Sequence, residues 1–215
     1  MNWNTYKDVF PVRYLQHSAF DDLVIQFTLG QNPVKTLDVG GGIDGTQVLK
    51  GVSGLIYLLD PFIDNYPHWM AGNLGWDTEL RNFDLIVCRG SINYLTRDQI
   101  RSLRGKMRPG GFLLANTFLK APMRDSERPF TTASGVRGLE LSRIKGFVDK
   151  TGGDDLIVGH RLEFESGPVR EISHQFFYYP ESTYESLLPG TIVRPRGTNS
   201  ADLIYQRVPD PDTPE

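Results

Sequence analysis

The feature that most constrains this chain is an apolar run that leads into a cluster of glycines and is followed closely by a second apolar run. The two runs span residues 34–39 and 54–59. Short continuous apolar runs are typical of parallel strands that are buried on both faces. The glycines that directly follow the first run stand at positions 40, 41, 42 and 45. Because glycine adopts positive φ and lets backbone N–H groups approach a ligand, the pattern predicts a strand, a tight turn, a short helix and a second strand that together hold a nucleotide-like cofactor.

Two aspartates indicate which cofactor this unit would hold. Asp60 ends the second run, where a carboxylate can accept hydrogen bonds from both hydroxyls of a ribose. The spacing Gly40-x-Gly42-x-x-Gly45, with Asp60 twenty residues after the first glycine, formally satisfies the dinucleotide fingerprint. Asp38 favours a different cofactor, because a buried carboxylate beside the turn repels a pyrophosphate and attracts the ammonium group of S-adenosylmethionine (SAM).

Four segments in order strengthen the second alternative. LDVGGG is followed after a short helix by LLD, Gly72, Asn73 and Leu74 precede FDLIV, and RPGGFLLANTF covers residues 108–118. These segments resemble motifs I and II, the third motif, and the (K/R)PGG turn with the last parallel strand of the class I SAM-dependent methyltransferases. The resemblance covers residues 34–118 and the final two strands in outline.

The resemblance implies an α/β fold. We expect a single doubly wound, Rossmann-like domain whose seven-stranded sheet is mostly parallel, with strand order 3-2-1-4-5-7-6 and an antiparallel last strand. The expected layout is an N-terminal cover or lid (1–30), a SAM-binding core (34–118), a substrate-pocket insertion (119–180), a closing helix and strands (181–208) and a disordered tail (209–215). The helix that precedes the third strand in relatives must be stunted here, because few residues separate Asp60 from Asn73.

The resemblance also implies the cofactor contacts. A backbone carbonyl at the turn after the fourth strand, at Arg89 or its neighbour, would hold the amino group of SAM. Arg13 would pair with its carboxylate if the N-terminal segment is a lid, and the amide of Asn73 can hydrogen-bond an adenine edge. The expected cofactor-binding residues are Arg13, Asp38, Gly40, Gly42, Asp60, Pro61, Asn73, Leu74 and Arg89.

The acceptor side is expected beyond the carboxyl ends of the fourth and fifth strands, by the rule for ligands of open α/β sheets. Asn93 and Tyr94 sit where relatives often carry a histidine that faces the acceptor. The expected substrate-binding residues are Tyr14, Asn93, Tyr94, Asn116 and Tyr178. An insertion that roofs the site favours a small-molecule acceptor over a macromolecule.

The rest of the chain contains the candidate bases. Residues 122–134 are predicted to be a flexible loop, residues 138–150 an amphipathic helix, and residues 155–180 an antiparallel hairpin with period-two alternation. The expected hairpin register places His160 near His174, and Glu163 near Glu171. A histidine with a pKa near neutrality suits removal of a proton from a hydroxyl or ammonium acceptor, so His174 is the first candidate base and His160 the second. A carboxylate acceptor would need no base and would be held by an arginine: Arg161, Arg170 or Arg194.

Composition excludes other classes. The chain has 215 residues and a formal net charge of −3, with scattered basic residues, so nucleic acid is not an expected partner. A single cysteine, Cys88, excludes an internal disulfide and fits a reducing compartment, and we expect a cytoplasmic monomer or homodimer without a membrane span, a signal peptide or a bound metal. Two alternatives stay open: an NAD(P)-dependent oxidoreductase, and a non-catalytic relative that binds SAM.

Overall fold

The computed structural model describes residues 19–51, 53–120, 125–132, 135–147 and 154–209. The expected lid residues Arg13 and Tyr14 lie outside the described residues, as does most of the predicted C-terminal tail. The helices are α1 (Ala19–Gln31), α2 (Gly42–Thr46), α3 (Arg97–Lys106) and α4 (Glu181–Leu187). The strands are β1 (Lys35–Val39), β2 (Leu55–Leu59), β3 (Gly72–Asn73), β4 (Phe83–Cys88), β5 (Met107–Phe118), β6 (Ser126–Thr131), β7 (Arg137–Phe147), β8 (Asp154–Phe164), β9 (Arg170–Tyr178), β10 (Ile192–Pro195) and β11 (Ser200–Gln206).

Seven strands form the central sheet, in the order β10-β11-β5-β4-β1-β2-β3. Strands β1 to β5 are parallel to one another, and β11 runs antiparallel to both β5 and β10. Numbered within this sheet and read from the opposite edge, the order is 3-2-1-4-5-7-6. The predicted topology is therefore confirmed, including the antiparallel last strand.

Apolar clusters cover both faces of this sheet. On one face Leu37, Ile86 and Leu113 share a core with Leu103 of α3 and Tyr184 of α4. On the other face Phe20 and Val24 of α1 share a core with strand residues of β2, β4 and β5: Ile56, Leu85, Val87 and Leu114. Because both faces are covered, the central strands consist of continuous apolar residues, which is the pattern that predicted them.

Helix α3 is capped at its N-terminus by Thr96. The Thr96 hydroxyl accepts a hydrogen bond from the backbone N–H of Gln99, and the Gln99 side chain accepts one from the backbone N–H of Thr96. This reciprocal capping box satisfies two N–H groups that have no partner within the helix. The two residues that follow α3 open β5, which pairs with β4.

The connection from β2 to β3 contains no helix, as expected from its length. Strand β3 has two residues and pairs in parallel with β2 at Tyr57 and Leu58. Leu74 extends the pairing by one bond, because its N–H donates to the carbonyl of Leu58 at 2.7 Å. The third motif of the resemblance therefore forms the short third strand of the sheet.

A second, antiparallel sheet has the order β6-β7-β8-β9. The hairpin predicted at 155–180 is confirmed as β8 and β9, but two predictions for the preceding residues are wrong. Residues 126–131, within the loop predicted at 122–134, form β6, and residues 137–147, which overlap the helix predicted at 138–150, form β7. Strand β7 pairs on one side with β6 and on the other with β8, so tertiary pairing outweighs the helix propensity of this segment. A Cβ at Gly138 would lie 2.5 Å from the carbonyl oxygen of Glu163, which shows how closely the two backbones approach.

The predicted register of this hairpin is wrong by two residues. His160 is opposite Ile172, His174 is opposite Val158, and Arg161 is opposite Glu171. Nη1 of Arg161 lies 3.4 Å from Oε1 of Glu171. The observed register opposes unlike charges where the predicted one would have opposed two glutamates, and like charges directly opposed destabilise a strand pair.

Candidate functional site

The candidate site lies at the edge of the central sheet where the parallel strands β1, β2, β4 and β5 reach their carboxyl ends. Parallel strands bring these ends to one edge, and ligands of open α/β sheets bind there. Three segments follow these ends directly: the glycine turn after β1, the loop after Asp60, and residues 89–94 after β4. The glycine turn is joined to β2 because the N–H of Gly40 donates to the carbonyl of Leu59 at 2.9 Å.

The glycine turn differs in detail from a dinucleotide fingerprint. Gly40 and Gly42 have positive φ, at 67° and 61°. A Cβ at Gly41 would lie 2.2 Å from a carboxylate oxygen of Asp38, whereas a Cβ at Gly45 would meet nothing closer than 3.6 Å. In the dinucleotide fingerprint the third glycine is needed for close packing of helix and strand. Gly45 has no such need here, whereas Gly40 and Gly41 both lack room for a Cβ, and the fingerprint leaves position 41 free.

Asp38 lies directly beneath this turn and is buried. Its Oδ2 accepts a hydrogen bond from the Thr46 hydroxyl at 2.6 Å, while its Oδ1 has no hydrogen-bond partner among the described residues. Burial raises the pKa of the Asp38 carboxyl to about 7, against the lowering effects of the Thr46 hydrogen bond and of the Arg89 charge. A buried carboxylate with an unused oxygen beside a ligand-binding turn suits a cationic group of a ligand.

Asp60 and Asn73 are joined to each other. The side-chain oxygen of Asn73 accepts from the N–H of Asp60 at 3.1 Å, and its amide nitrogen donates to the carbonyls of Asp60 at 2.9 Å and Ile63 at 2.6 Å. Oδ1 of Asp60 accepts from the N–H of Phe62 at 2.9 Å, and Pro61 is exposed between them. Asn73 therefore fixes the loop that presents Asp60, and its predicted contact with adenine stays a prediction.

Arg89 follows β4 and its side chain has a role that the sequence did not indicate. Its Nε donates to Oδ1 of Asp21 at 2.6 Å and its Nη2 to Oδ2 of Asp21 at 2.9 Å. Asp21 lies in the first turn of α1 and is buried. This bidentate pair joins α1 to the turn after β4. Asp21 carries no sequence signal beyond being an acidic residue in a first helical turn, which is common at helix N-termini.

The two asparagines predicted to contact the acceptor make hydrogen bonds within the protein. The buried amide of Asn93 donates to the carbonyls of Phe118 and Phe177, and its oxygen accepts from the Phe118 N–H and the Thr117 hydroxyl. The side-chain oxygen of Asn116 accepts from the N–H of Gly90 at 2.5 Å. Both side chains therefore shape the edge of the site, and their contacts with an acceptor stay predictions.

Tyr94 and Tyr178, the predicted acceptor-side tyrosines, are brought together through Phe176. The Tyr94 and Phe176 rings meet edge to face with centroids 4.8 Å apart, and the Phe176 and Tyr178 centroids are 4.9 Å apart. Phe118, at the end of β5, lies 6.1 Å from Phe176 and is half exposed. Burial raises the pKa of Tyr178 to about 12, so its hydroxyl stays protonated at neutral pH. The sequence analysis missed Phe118 as a member of this group, because only the fold brings the end of β5 to the second sheet.

Comparison with known proteins finds relatives in structure only. No protein-family model matches the chain, and no curated protein matches it significantly. A SAM-dependent methyltransferase from Clostridium acetobutylicum is 14% identical over 96% of this chain and 99% of its own length, with a TM-score of 0.67. The CcbJ methyltransferase from Streptomyces caelestis is 14% identical over 95% of this chain and 98% of its own, with a TM-score of 0.66.

A third structure contains both ligands of its reaction. The 1,6-didemethyltoxoflavin-N1-methyltransferase from Burkholderia thailandensis, with bound 1,6-didemethyltoxoflavin and S-adenosylhomocysteine, is 11% identical over 96% of this chain and 87% of its own, with a TM-score of 0.51. The chain has the methyltransferase fold. Within that fold, Asp38, Gly40 and Asp60 stand at the carboxyl ends of β1 and β2, in the places that the sequence motifs predict.

The candidate bases lie on the second sheet of this methyltransferase fold. His160 is in β8 and His174 is in β9, at diagonal positions of the strand pair. Their side chains lie outside the described residues, so their predicted roles stay predictions. Of the arginines considered for a carboxylate acceptor, Arg161 is bound to Glu163 and Glu171, whereas Arg170 and Arg194 are exposed. Arg161 is therefore the least suitable of the three.

The described part of the chain contains neither a metal-binding cluster nor a helix that could cross a membrane. No group of three or more His, Cys, Asp or Glu residues there is arranged to hold a metal ion. None of the described helices has the length and apolar character needed to cross a membrane. Cys88 is a buried free thiol, and burial raises its pKa well above the ordinary value, so it is a core residue rather than a nucleophile.

Proposed function

We propose that this protein is a SAM-dependent methyltransferase that methylates an oxygen or nitrogen atom of a small molecule. The observation that carries the proposal is the Asp38 carboxylate, which is buried beneath a glycine turn and has one oxygen without a partner among the described residues. A pyrophosphate would be repelled by this group, whereas an ammonium would be bound by it. The similar methyltransferase structures, one of which contains S-adenosylhomocysteine and a small acceptor, support the same choice.

The residues of the chain fit the parts of SAM. Asp38 would accept from its ammonium group, Asp60 would accept from the ribose hydroxyls, and the backbone at Gly40 and Gly42 would allow close approach. When bound, SAM supplies a sulfonium methyl group for in-line transfer to a nucleophile. The task of the protein is alignment and exclusion of water. The rings of Tyr94, Phe118, Phe176 and Tyr178 provide an apolar wall that serves both purposes for a small acceptor.

If the nucleophile is a hydroxyl or an ammonium, a general base must accept its proton. We assign this to an imidazole nitrogen of His174, with His160 as the second candidate, because neutral histidine accepts a proton near pH 7. A carboxylate acceptor would require no base, and Arg170 or Arg194 would then orient it. We also place the protein in the cytoplasm, because its single cysteine fits a reducing compartment.

Calorimetry with SAM and with NAD tests the cofactor assignment. We expect a dissociation constant for SAM in the micromolar range, equivalent to about −8 kcal/mol, and no comparable binding of NAD. Asp38→Asn, which keeps the shape of the side chain, should weaken SAM binding because the charge-assisted hydrogen bond to the ammonium is lost. Tighter binding of NAD than of SAM would favour the oxidoreductase alternative and overturn the proposal.

A methyl-transfer assay over a panel of small metabolites tests the activity itself. Production of S-adenosylhomocysteine that depends on an added acceptor would support catalysis. Tight SAM binding without turnover on any member of the panel would favour a non-catalytic SAM-binding relative.

A further inference from the structure

Two buried aspartates and one arginine next to the glycine turn interact electrostatically, and the proposed cofactor contacts do not explain the arginine. Asp21 and Asp38 are both buried, at 1% relative exposure each, and they belong to α1 and β1. Arg89, from the turn after β4, acts electrostatically on both carboxylates. When two buried carboxylates lie close to one guanidinium, changing the charge of one group changes the pKa values of the others.

The position of the Arg89 guanidinium is set by contacts on two sides. Asp21 holds Nε and Nη2 through the bidentate pair at 2.6 and 2.9 Å. On the other side, a Cβ placed at Gly45 would lie 3.6 Å from Nη1 of Arg89. Gly45 precedes Thr46, whose hydroxyl donates to Asp38 at 2.6 Å. The guanidinium and the Asp38 carboxylate therefore lie against the same short turn.

The groups that face Asp38 come from every element around it. Thr46 of α2 donates a hydrogen bond to it, Arg89 contributes a positive charge, and Asp60 and Asp21 contribute negative charges. The Cys88 thiol at the end of β4 also interacts with Asp38, but it is neutral, because burial raises its pKa. Of these described groups Arg89 supplies the positive charge, and its effect on Asp38 is larger than that of either aspartate.

We propose that Arg89 is a positioning residue for the cofactor: its guanidinium, clamped by Asp21, holds the Asp38 carboxylate in the ionised form that receives the ammonium group of SAM. This inference rests on the proposed function. It differs from the sequence expectation for Arg89, which concerned a backbone carbonyl at this turn. It also gives α1 a part in cofactor binding, because Asp21 orients the guanidinium from that helix.

Two substitutions break the Asp21–Arg89 pair but change the charge near Asp38 in opposite directions. Arg89→Gln removes a positive charge and should make Asp38 harder to ionise. Asp21→Asn removes a negative charge but keeps a side-chain oxygen that can accept from Nε of Arg89, so the guanidinium stays in place and Asp38 should become easier to ionise. If the pair only held α1 in place, both substitutions would weaken SAM binding in the same way at every pH.

The experiment measures the dissociation constant of SAM by calorimetry from about pH 6 to about pH 8.5 for the wild type, Arg89→Gln, Arg89→Lys and Asp21→Asn. Each variant is compared with the wild type at the same pH, so ionisation of SAM itself cancels. If Arg89→Gln raises the pKa of Asp38 by about one, the variant should bind SAM about tenfold more weakly than the wild type at the lower pH. At the higher pH the loss should be less than about twofold. Arg89→Lys keeps the charge and should restore the wild-type pH dependence.

Asp21→Asn decides the matter independently. As the pH is lowered, its affinity for SAM should fall less than the affinity of the wild type does. It also keeps the experiment informative if Arg89→Gln, which leaves the Asp21 carboxylate buried without its guanidinium, fails to fold by circular dichroism. A pH-independent loss of affinity in Asp21→Asn, or in both variants, would overturn the inference while leaving SAM binding by the wild type intact. Failure of the wild type to bind SAM would overturn the proposed function as well.

Discussion

Gly41 is the residue whose environment separates this glycine turn most clearly from a dinucleotide turn. A Cβ there would lie 2.2–2.6 Å from three atoms of the Asp38 carboxyl group, so either Asp38 or the turn must move. Gly41→Ala should cost about 1–3 kcal/mol of stability, as overpacking of a filled site does, and should weaken SAM binding by displacing Asp38. Chemical denaturation and calorimetry measure the two effects.

Gly45→Ala is the matched control. The Cβ would meet the Arg89 side chain only at 3.6–3.7 Å, and Gly45 lies in α2 without positive φ. Alanine is favoured over glycine in a helix by about 1 kcal/mol, so this variant should be at least as stable as the wild type and should bind SAM equally well. Equal losses of stability and of SAM affinity in Gly41→Ala and Gly45→Ala would mean that the space seen beside Gly45 is not available in the protein.

At the scale of single residues, the sequence predicted side chains that belong to local motifs. Asp38, Gly40 and Asp60 were found because the turn and the two strands around it are contiguous in the chain. Asp21 was not, since its partner Arg89 is 68 residues away and nothing in either neighbourhood signals the pair. The hydrogen bonds of Asn93 were missed for the same reason, because three of its partners come from β5 and one from β9.

At the scale of elements, Asn93 joins the turn after β4 to both sheets. Its amide serves the end of β5 and the carbonyl of Phe177 in β9, at 2.7–3.1 Å. Asn93→Ala would leave several of these buried groups without partners, at about 1–3 kcal/mol each before any relaxation. We expect a loss of about 2–5 kcal/mol in the free energy of unfolding, measured with denaturant.

Asn199→Ala serves as a control for this prediction. The Asn199 side chain is exposed in the connection before β11, and such substitutions usually change stability by less than about 0.5 kcal/mol. A loss of the same small size for Asn93→Ala would show that water replaces the amide without cost, and that the second sheet does not depend on this side chain.

Elements were predicted well where local signals and tertiary packing agree. The buried strands of the central sheet are an example. Strand β7 shows the opposite case. Its residues carry charged side chains between leucines and were taken for an amphipathic helix, but neighbouring strands on both sides supply its backbone hydrogen bonds. Pairing of this kind involves residues distant in sequence, so no local pattern could reveal it.

At the scale of the whole molecule, the strand order was predicted from the resemblance of four segments to the methyltransferase motifs, which implies the sheet of that family. The second sheet could not be derived in this way. It has no counterpart among those motifs, and its register, which places Arg161 opposite Glu171, is not specified by the alternation of apolar residues.

Asp38 also makes the stability of the whole molecule depend on pH. In the unfolded chain its carboxyl has an ordinary pKa of about 4, whereas burial raises the pKa to about 7 in the folded, cofactor-free protein. Between these values the folded state binds more protons at this site than the unfolded state. The contribution of Asp38 to stability therefore falls as the pH rises from about 4 to about 7, and it stays at its lower level above that range.

Comparing the wild type with Asp38→Asn isolates this effect, because the other titrating groups are shared and largely cancel in the difference. The free energy of unfolding of Asp38→Asn, relative to the wild type, should rise between about pH 4 and about pH 7. The rise should be at most about 4 kcal/mol for a pKa that burial raises from about 4 to about 7. Urea denaturation at a series of pH values measures it. Saturating SAM should reduce the dependence in the wild type, because its ammonium offsets the cost of burying the carboxylate, and should do little in the variant. A difference between the two proteins that stays constant across this range would mean that Asp38 is ionised normally in the folded protein, and that the cation site beneath the glycine turn is not under the strain that its burial implies.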